Sequence, residues 1–578
     1  MFVVFEGIDG SGKTTVSNLV AKALRTRGID VDHIREGGEF ASPLVSRMRE
    51  FGKDTRNIEL RPLPEFLMYV ARDAQLLAEC INPALSRGGL VFADRYLYSY
   101  EVLGHYGRGL ELEQVRPIID SVAAGVWPDL VVLMDVDPHL ARARRRSSKV
   151  TQKARGETAG SGGGSRKGLG GVGMMHRLRE GYLKLAEREP KRWLVIDNCN
   201  TDLDVVVERV TDAIASLYEG ASTAQVVTGT SVAPRAATAA EAPTLESARD
   251  AFYEMISVRQ KNEPAVAAYF LAGLVDEQAH LCRKDLLEHA PHVVAYGLRA
   301  LGSEGAWELR ETLRHASPRY IARSLAGVAV EGERADTMRR EFYPDVPLAV
   351  LGTLSGSDRD IAWEFREGAV AREPRAVVAS LRRMEDDRAW SWRDQYIEEM
   401  GGDIVYQDIT LARPLLESIR GLSDKRSWGI RKRCMQESPV QVLKSLSGLA
   451  CERSWSLREE YAALAPKVVL RTFDGQESDV AWAMRRRFAP RAKEALDSMQ
   501  GLDSDAAWSI RDALADVWPS TVVSSLGLLG GSERGMRLIE TLLTKYPQNL
   551  SLLKHVTQVA AAEATGGAAR RSVLDDAV

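Results

Sequence analysis

The sequence predicts an α/β domain built on a parallel sheet, followed by an all-α solenoid of short two-helix repeats. Three observations predict it. Up to about residue 217, short apolar β-branched runs alternate with helical stretches, the pattern of βαβ units. A segment over 218–243, including ASTAQVVTGTSVAPRAATAAEAP, has almost no large apolar side chains and reads as a linker. From 244 to 556 no strand pattern is found, and a Trp followed three residues later by Arg keeps returning.

The strand runs are Phe2–Phe5, Leu90–Ala93, Leu130–Met134 and Leu194–Ile196, with a weaker one at Val31–Ile34. The repeat pairs are Trp307/Arg310, Trp363/Arg366, Trp390/Arg393, Trp428/Arg431, Trp455/Arg458, Trp482/Arg485 and Trp508/Arg511. The tryptophans from 428 onward are spaced by 27, 27 and 26 residues. His280/Arg283 and Asp336/Arg339 occupy the same register in degenerate form. The longer step from Trp390 to Trp428 implies an insertion near Gly401–Thr410. A second helix follows each Trp helix, usually opened by proline, which suits a first helical turn because its missing N–H has no partner there. Such a unit cannot hide its own apolar face, so stacked units are expected to share one core, as HEAT-like repeats do. Each Trp is read as core with its Arg stacked on it, or as part of a ligand-reading stripe. Residues 557–578 read as a flexible tail.

Composition bounds the function. Hydrophobic residues make up 45% and charged residues 27%, which is globular. With 77 basic and 80 acidic residues the net charge is -3, so nucleic acid is not the expected partner. The five cysteines are scattered with no C-x-x-C pair, which fits a reducing compartment and neither disulfides nor a zinc ribbon. The opening MFVVFEGIDGSGK lacks the layout of a secretory leader. No window reaches the about 18 continuous apolar residues of a membrane span. A cytoplasmic protein that begins near Met1 and makes no membrane contact is expected.

The chemistry concentrates in Gly7-Ile8-Asp9-Gly10-Ser11-Gly12-Lys13-Thr14. It matches G-x-x-x-x-G-K-[ST], with a strand before it and a helical stretch, Thr14–Arg27, after it. Backbone N–H groups of such a loop cradle phosphate at a helix N-terminus. Lys13 would hold β/γ-oxygens and Thr14 would ligate Mg²⁺.

Four blocks in order, FEGIDGSGKTT, REGGEFASPLVSRMR, ADRYLYSYEVLGHYGRGL and PDLVVLMDVDP, resemble the thymidylate kinase family over roughly residues 1–215. The resemblance implies a five-stranded parallel sheet and transfer of the γ-phosphoryl of ATP to dTMP with Mg²⁺. It places Gly7, Gly10, Ser11, Gly12, Lys13, Thr14 and Thr15 on the ATP phosphates, and Asp197 and Asn198 near the adenine. It gives Thr14 and Asp94 to the metal. It sets Asp9, Arg49 and Arg95 toward the acceptor, Arg49 and Arg95 having the alternative of a surface or structural salt-bridge role. A homodimer through this domain is common in the family, and the repeats suggest a protein partner.

The base-reading segment departs from the family. Its motif resembling L-L-F-A-A-D-R-A-Q stands here as Leu67-Met68-Tyr69-Val70-Ala71-Arg72-Asp73-Ala74-Gln75. Tyr69 can still stack on a pyrimidine. The family's base-contacting arginine falls on Asp73, and Arg72 is expected to point elsewhere, since one helical residue is a turn of about 100°. The family Ser and Gln fall on Tyr100 and Gly104. An acidic Asp73 would suit an exocyclic amine, so another base is the competing expectation. The P-loop carries no arginine, and the family then supplies a catalytic one from the lid. The candidates are Arg142, Arg146, Lys149, Lys153 and Arg155, of which Arg146 and Arg155 are singled out for catalysis. The second reading of the whole chain is a nucleotide-binding regulatory protein, or a kinase of another (d)NMP, whose solenoid binds a protein.

Overall fold

The computed structural model describes residues 1–35, 42–53, 61–156, 171–199, 201–220, 243–327, 330–463, 465–473, 475–490 and 492–564. The linker over 221–242, the glycine-rich stretch over 157–170 and the tail from 565 lie outside the described residues. Two compact units result, Met1–Ala240 and Glu241–Val578.

The first unit runs β1 (Phe2–Glu6), α1 (Lys13–Thr26), β2 (Val31–His33), α2 (Pro43–Lys53), α3 (Pro62–Leu76), α4 (Asn82–Ser86), β3 (Leu90–Asp94), α5 (Tyr98–Glu101), α6 (Leu112–Ala123), β4 (Leu130–Asp135), α7 (Pro138–Ala154), α8 (Val172–Arg188), β5 (Trp193–Asp197) and α9 (Leu203–Tyr218). The sheet order is β2-β3-β1-β4-β5, and every pairing is parallel. All five expected strands are present, including the weak run at Val31. A parallel sheet is buried on both faces, which is why its strands read as continuous apolar runs. The two-residue pleat divides β1: Phe2 and Val4 enter one core with Phe66, Val70 and Ile119, while Val3 and Phe5 enter the other with Val16, Val20 and Val210. The chain leaves β1 for one side of the sheet and crosses to the other at β4. Their carboxyl ends therefore flank the crevice where open α/β sheets bind ligands.

The second unit is a row of paired helices. Proline opens most second helices, as in Pro291–Gly297, Pro318–Ser324 and Pro374–Ser380. Two helices differ: Pro414 lies inside Ile409–Ser418, where the insertion, with its short helix Ile404–Gln407, supplies an extra turn before it, and Glu494–Asp497 opens without a proline. The last helix, Leu550–Ala564, continues past residue 556. It packs against the first, Leu245–Asn262, so the array closes on itself and its two end faces cover each other.

The arginine of each repeat is the keystone of its unit. Arg310, Arg339, Arg366, Arg393, Arg431, Arg458, Arg485 and Arg511 are fully buried. Arg366 is typical. Its Nε donates to Ser380 Oγ at 3.0 Å, and Nη2 donates to Leu354 O and Ser380 O at 3.1 Å. One guanidinium thus satisfies orphan carbonyls at the ends of two consecutive second helices, where the helix dipoles favour a cation. Burial pushes Arg366 down to about 10, which leaves it charged at neutral pH. Arg393 reaches Ser418 across 25 residues where Arg366 reaches Ser380 across 14, and that locates the insertion. Each Trp lies against its own Arg, and several are clamped by a second from the next repeat. Trp363 has Arg366 at 4.8 Å and Arg388 at 4.0 Å, and Trp428 has Arg431 at 4.8 Å and Arg453 at 4.5 Å.

Candidate active site

The P-loop connects the end of β1 to α1. Gly7, Gly10 and Gly12 have φ of 136°, 91° and 92°, and side chains there would collide with the Met134 carbonyl, the Ala141 carbonyl and Asn198. The loop is therefore wedged between the end of β4, the start of α7 and the end of β5. Asn198 Nδ2 donates to Ser11 O at 2.7 Å, and Arg144 Nη2 donates to Asn198 O at 3.1 Å. Asp197 is exposed, as is Thr15. Lys13 Nζ donates to Gly7 O at 3.0 Å and Ile8 O at 2.9 Å. Burial, then the nearby Arg95 cation, pushes Lys13 down to about 8.

Asp94 closes β3 beside this loop. Its Oδ2 accepts from Thr14 Oγ1 at 2.5 Å and from Arg35 Nη1 at 3.4 Å. Burial opposes its ionisation, but Lys13, Arg35 and Arg95 overcome that and lower its pKa. Among the described residues its Oδ1 is buried without a partner. A charged carboxylate oxygen left over beside a threonine hydroxyl fits a divalent cation that takes its remaining ligands from phosphate and water.

Arg95 follows directly, with a left-handed φ of 77°. That conformation costs a non-glycine residue roughly 1 kcal/mol or more, so its surroundings must hold it. Nη2 donates to Asp9 Oδ1 at 2.6 Å, and Nη1 donates to Ser99 Oγ at 3.1 Å and Tyr182 Oη at 2.9 Å. The fully buried Glu6 underpins the turn: it accepts from Tyr96 N at 2.9 Å and Ser99 Oγ at 2.6 Å. Burial raises its pKa, and the neighbouring Arg95 limits the rise. The Asp9 side chain is half-exposed; crowding at the loop mouth opposes its charge, but Arg95, Lys13 and Arg145 outweigh that and hold its carboxyl well below the usual range.

The lid residues sort differently from the expectation. Residues 138–154 form the helix α7, with Arg155 just beyond its end. Arg145 lies 3.8 Å from Asp9, while Arg146 and Arg155 are exposed. The cation that α7 brings to Asp9 is thus Arg145: Arg146 lies about 100° further round the helix, while Arg142 and Lys149 share the face of Arg145 one turn before and after it. Arg145, Arg35, Glu6 and Tyr182 were not singled out from the sequence. Glu6, next to the P-loop, Arg35, at the head of the block REGGEFASPLVSRMR, and Arg145, one position from a candidate, had a local signal; Tyr182 had none. Arg49 is half-buried on α2.

The base-reading segment also differs. Asp73 is buried, and its Oδ1 accepts from Arg72 Nε at 2.9 Å and Nη2 at 2.7 Å. Arg72 also donates to Tyr100 Oη, and its guanidinium lies 5.9 Å from the Tyr69 ring and 5.8 Å from that of Tyr100. The two rings are parallel within 10°. Arg72 therefore does not point away: its long side chain folds back over the turn to the Asp73 carboxylate. Gly104 provides no polar group and packs on Phe66 and Val115, where a Cβ would come within 3.2 Å and 3.4 Å.

A P-loop on a parallel sheet, with a carboxylate and an arginine at the neighbouring strand end, defines a phosphotransferase that acts on small nucleotides. The family model described as Thymidylate kinase matches residues 5–210. The thymidylate kinase of Caldanaerobacter subterraneus subsp. tengcongensis is 34% identical over 220 residues, 38% of this chain and 97% of that relative. That of Deinococcus radiodurans is 39% identical over 197 residues, 34% of this chain and 88% of the relative. That of Pelotomaculum thermopropionicum is 36% identical over 223 residues, 37% of this chain and 94% of the relative. The chain belongs to the thymidylate kinase family through its first unit, and it is an ATP-dependent nucleoside monophosphate kinase. Among the described residues no helix is long and apolar enough to cross a membrane.

Proposed function

We propose that the first unit transfers the γ-phosphoryl group of ATP to dTMP, giving ADP and dTDP. The observation that carries this is the convergence of Arg95 and Arg145 on Asp9 at the mouth of the P-loop. An acceptor phosphate oxygen, already ionised at neutral pH, attacks the γ-phosphorus. The bond to the β,γ-bridging oxygen breaks, and its electron pair leaves with ADP. Arg95, pre-oriented by Asp9, Ser99 and Tyr182, grips the acceptor phosphate with a guanidinium fork. Lys13 and Arg145 neutralise charge as it spreads over the transferring group. Thr14 and Asp94 would hold Mg²⁺, which neutralises phosphate charge when bound.

The transposed Arg72–Asp73 pair supports thymine over an amino-bearing base. The Asp73 carboxylate already accepts two bonds from Arg72, and the same site retains an arginine beside two stacked tyrosine rings. A coupled ADP-release assay with dTMP, dUMP, dCMP, CMP, dAMP and dGMP tests the reading, with Lys13→Ala as control. Turnover on dTMP that the control abolishes is expected. Turnover confined to dCMP or dAMP would overturn it.

A further inference from the structure

The second helices of the repeats form one unbroken row. Each packs on the next, and Leu550–Ala564 with Leu245–Asn262 joins the last, Pro519–Leu526, back to the first, Pro264–Leu271. Neighbouring first helices touch more sparsely. The crowded row is therefore the inner side of the closed array.

Along this row the exposed side chains come from two positions of the second helices, five residues and one residue before the Ser or Thr that the buried arginine bonds. In Pro318–Ser324, Tyr320, Ile321, Ala322 and Ser324 are buried while Arg319 and Arg323 face water; in Pro291–Gly297 the exposed residue is Tyr296, with Arg299 just beyond it. The Tyr269 and Tyr296 rings are 6.4 Å apart and parallel within 10°. Burial, then the Arg319 and Arg299 charges, lowers the Arg323 pKa. Three repeats further on Arg413 takes the position of Arg319, and in the next two repeats Lys444 and Arg471 take that of Arg323; the two repeats between carry Leu348 and Gly352, then Arg375 and Ala379, at these positions. Burial, then Arg413 and Arg471, lowers Lys444. The acids on this stretch are Glu417, and Glu494, which accepts from Arg471 at 3.0 Å. Among the described residues Arg299, Arg319, Arg323, Arg413 and Lys444 form no ion pair.

The first helices are built the other way. Their cations pair with acids of the neighbouring repeat, as in Lys284–Glu308 at 2.7 Å, Arg340–Glu364, Arg388–Glu367 and Arg426–Asp394.

We infer that the inner helix row of the repeat unit is a binding surface for single-stranded nucleic acid. Two groups of unpaired cations along the row can hold a phosphate backbone, and parallel tyrosine rings beside the first group offer stacking platforms that only unpaired bases can reach. An acidic peptide would use the charges and leave the rings without a role.

The test is fluorescence anisotropy on the full chain, with a labelled oligothymidylate of about 20 nucleotides, a duplex of the same length and a labelled polyglutamate. The single strand is expected to bind best, with log K falling linearly in log salt. Arg319→Gln/Arg323→Gln and, separately, Arg413→Gln/Lys444→Gln should each weaken binding at least tenfold and reduce the salt slope by about 0.7 per cation removed. Tyr296→Ala should weaken binding while leaving that slope unchanged. Unaltered kinase turnover and thermal melting establish that these variants fold. Absence of oligonucleotide binding, equal or tighter binding of the duplex or of polyglutamate, or unchanged affinity in both double variants would overturn the proposal.

Discussion

Arg95 Nη2 donates to Asp9 Oδ1 at 2.6 Å, joining the end of β3 to the middle of the P-loop across 86 residues. The pair aims a guanidinium whose own backbone is held at a left-handed φ. Replacing Asp9 by Asn removes a charge-assisted bond and should cost about 2 kcal/mol in kcat/KM for the acceptor, roughly thirtyfold. Steady-state kinetics with varied dTMP would show the loss, with KM for ATP nearly unchanged.

Arg145 and Arg146 are neighbours in sequence with different surroundings. Arg145→Ala should lower kcat at least a hundredfold, the scale of a lost cation at a transferring phosphoryl group. Arg146→Ala should stay within about twofold of wild type, since exposed substitutions away from a site act weakly. Single-turnover rates at saturating ATP separate this effect from binding.

Lys13 is pushed down to about 8 by burial and by Arg95. It holds phosphate only while protonated, so it is charged below that pH and loses its charge as pH rises through it. ATP affinity should therefore be level at pH 6.5 to 7.5 and weaken by up to tenfold per unit above about pH 8. Lys13→Ala should bind weakly with no such break. Titration of a fluorescent ATP analogue across this range would show the difference.

Arg72 and Asp73 form a buried pair, and breaking one partner strands the other. Asp73→Arg, which would restore an arginine at the family's position, is expected to lower dTMP turnover at least tenfold, because two guanidinium groups then share one buried site. The double exchange Arg72→Asp/Asp73→Arg should recover part of the loss, and a double-mutant cycle measures the coupling, about 3 kcal/mol for a buried pair.

Arg366 satisfies carbonyls of two repeats at once. Arg366→Met should destabilise the array by about 3 kcal/mol, and Arg366→Lys should not rescue it, since an ammonium lacks the planar fork. The helical melting transition of the full chain should fall while kinase turnover at low temperature is retained.

Much of this was readable in one dimension. The strands showed because parallel strands buried on both faces must be continuously apolar, and Phe2–Phe5 and Leu130–Met134 are. The P-loop showed because its glycines are required by backbone angles and clearances that no other residue meets. The repeats showed because each unit sets the same local problem, two helix ends to satisfy, and solves it with the same Trp and Arg.

What the sequence determined by itself was thus the local and periodic chemistry: the phosphate loop, the sheet class, the helix pairs and the family of the first unit. The tertiary structure alone decided which cation reaches Asp9, where the Arg72 side chain lies, that the first and last repeat helices adjoin, and that the unpaired cations share one face. The reason is physical. Backbone periodicity is encoded within a few residues, whereas the direction of a long side chain and the meeting of distant helix ends depend on packing between segments hundreds of residues apart.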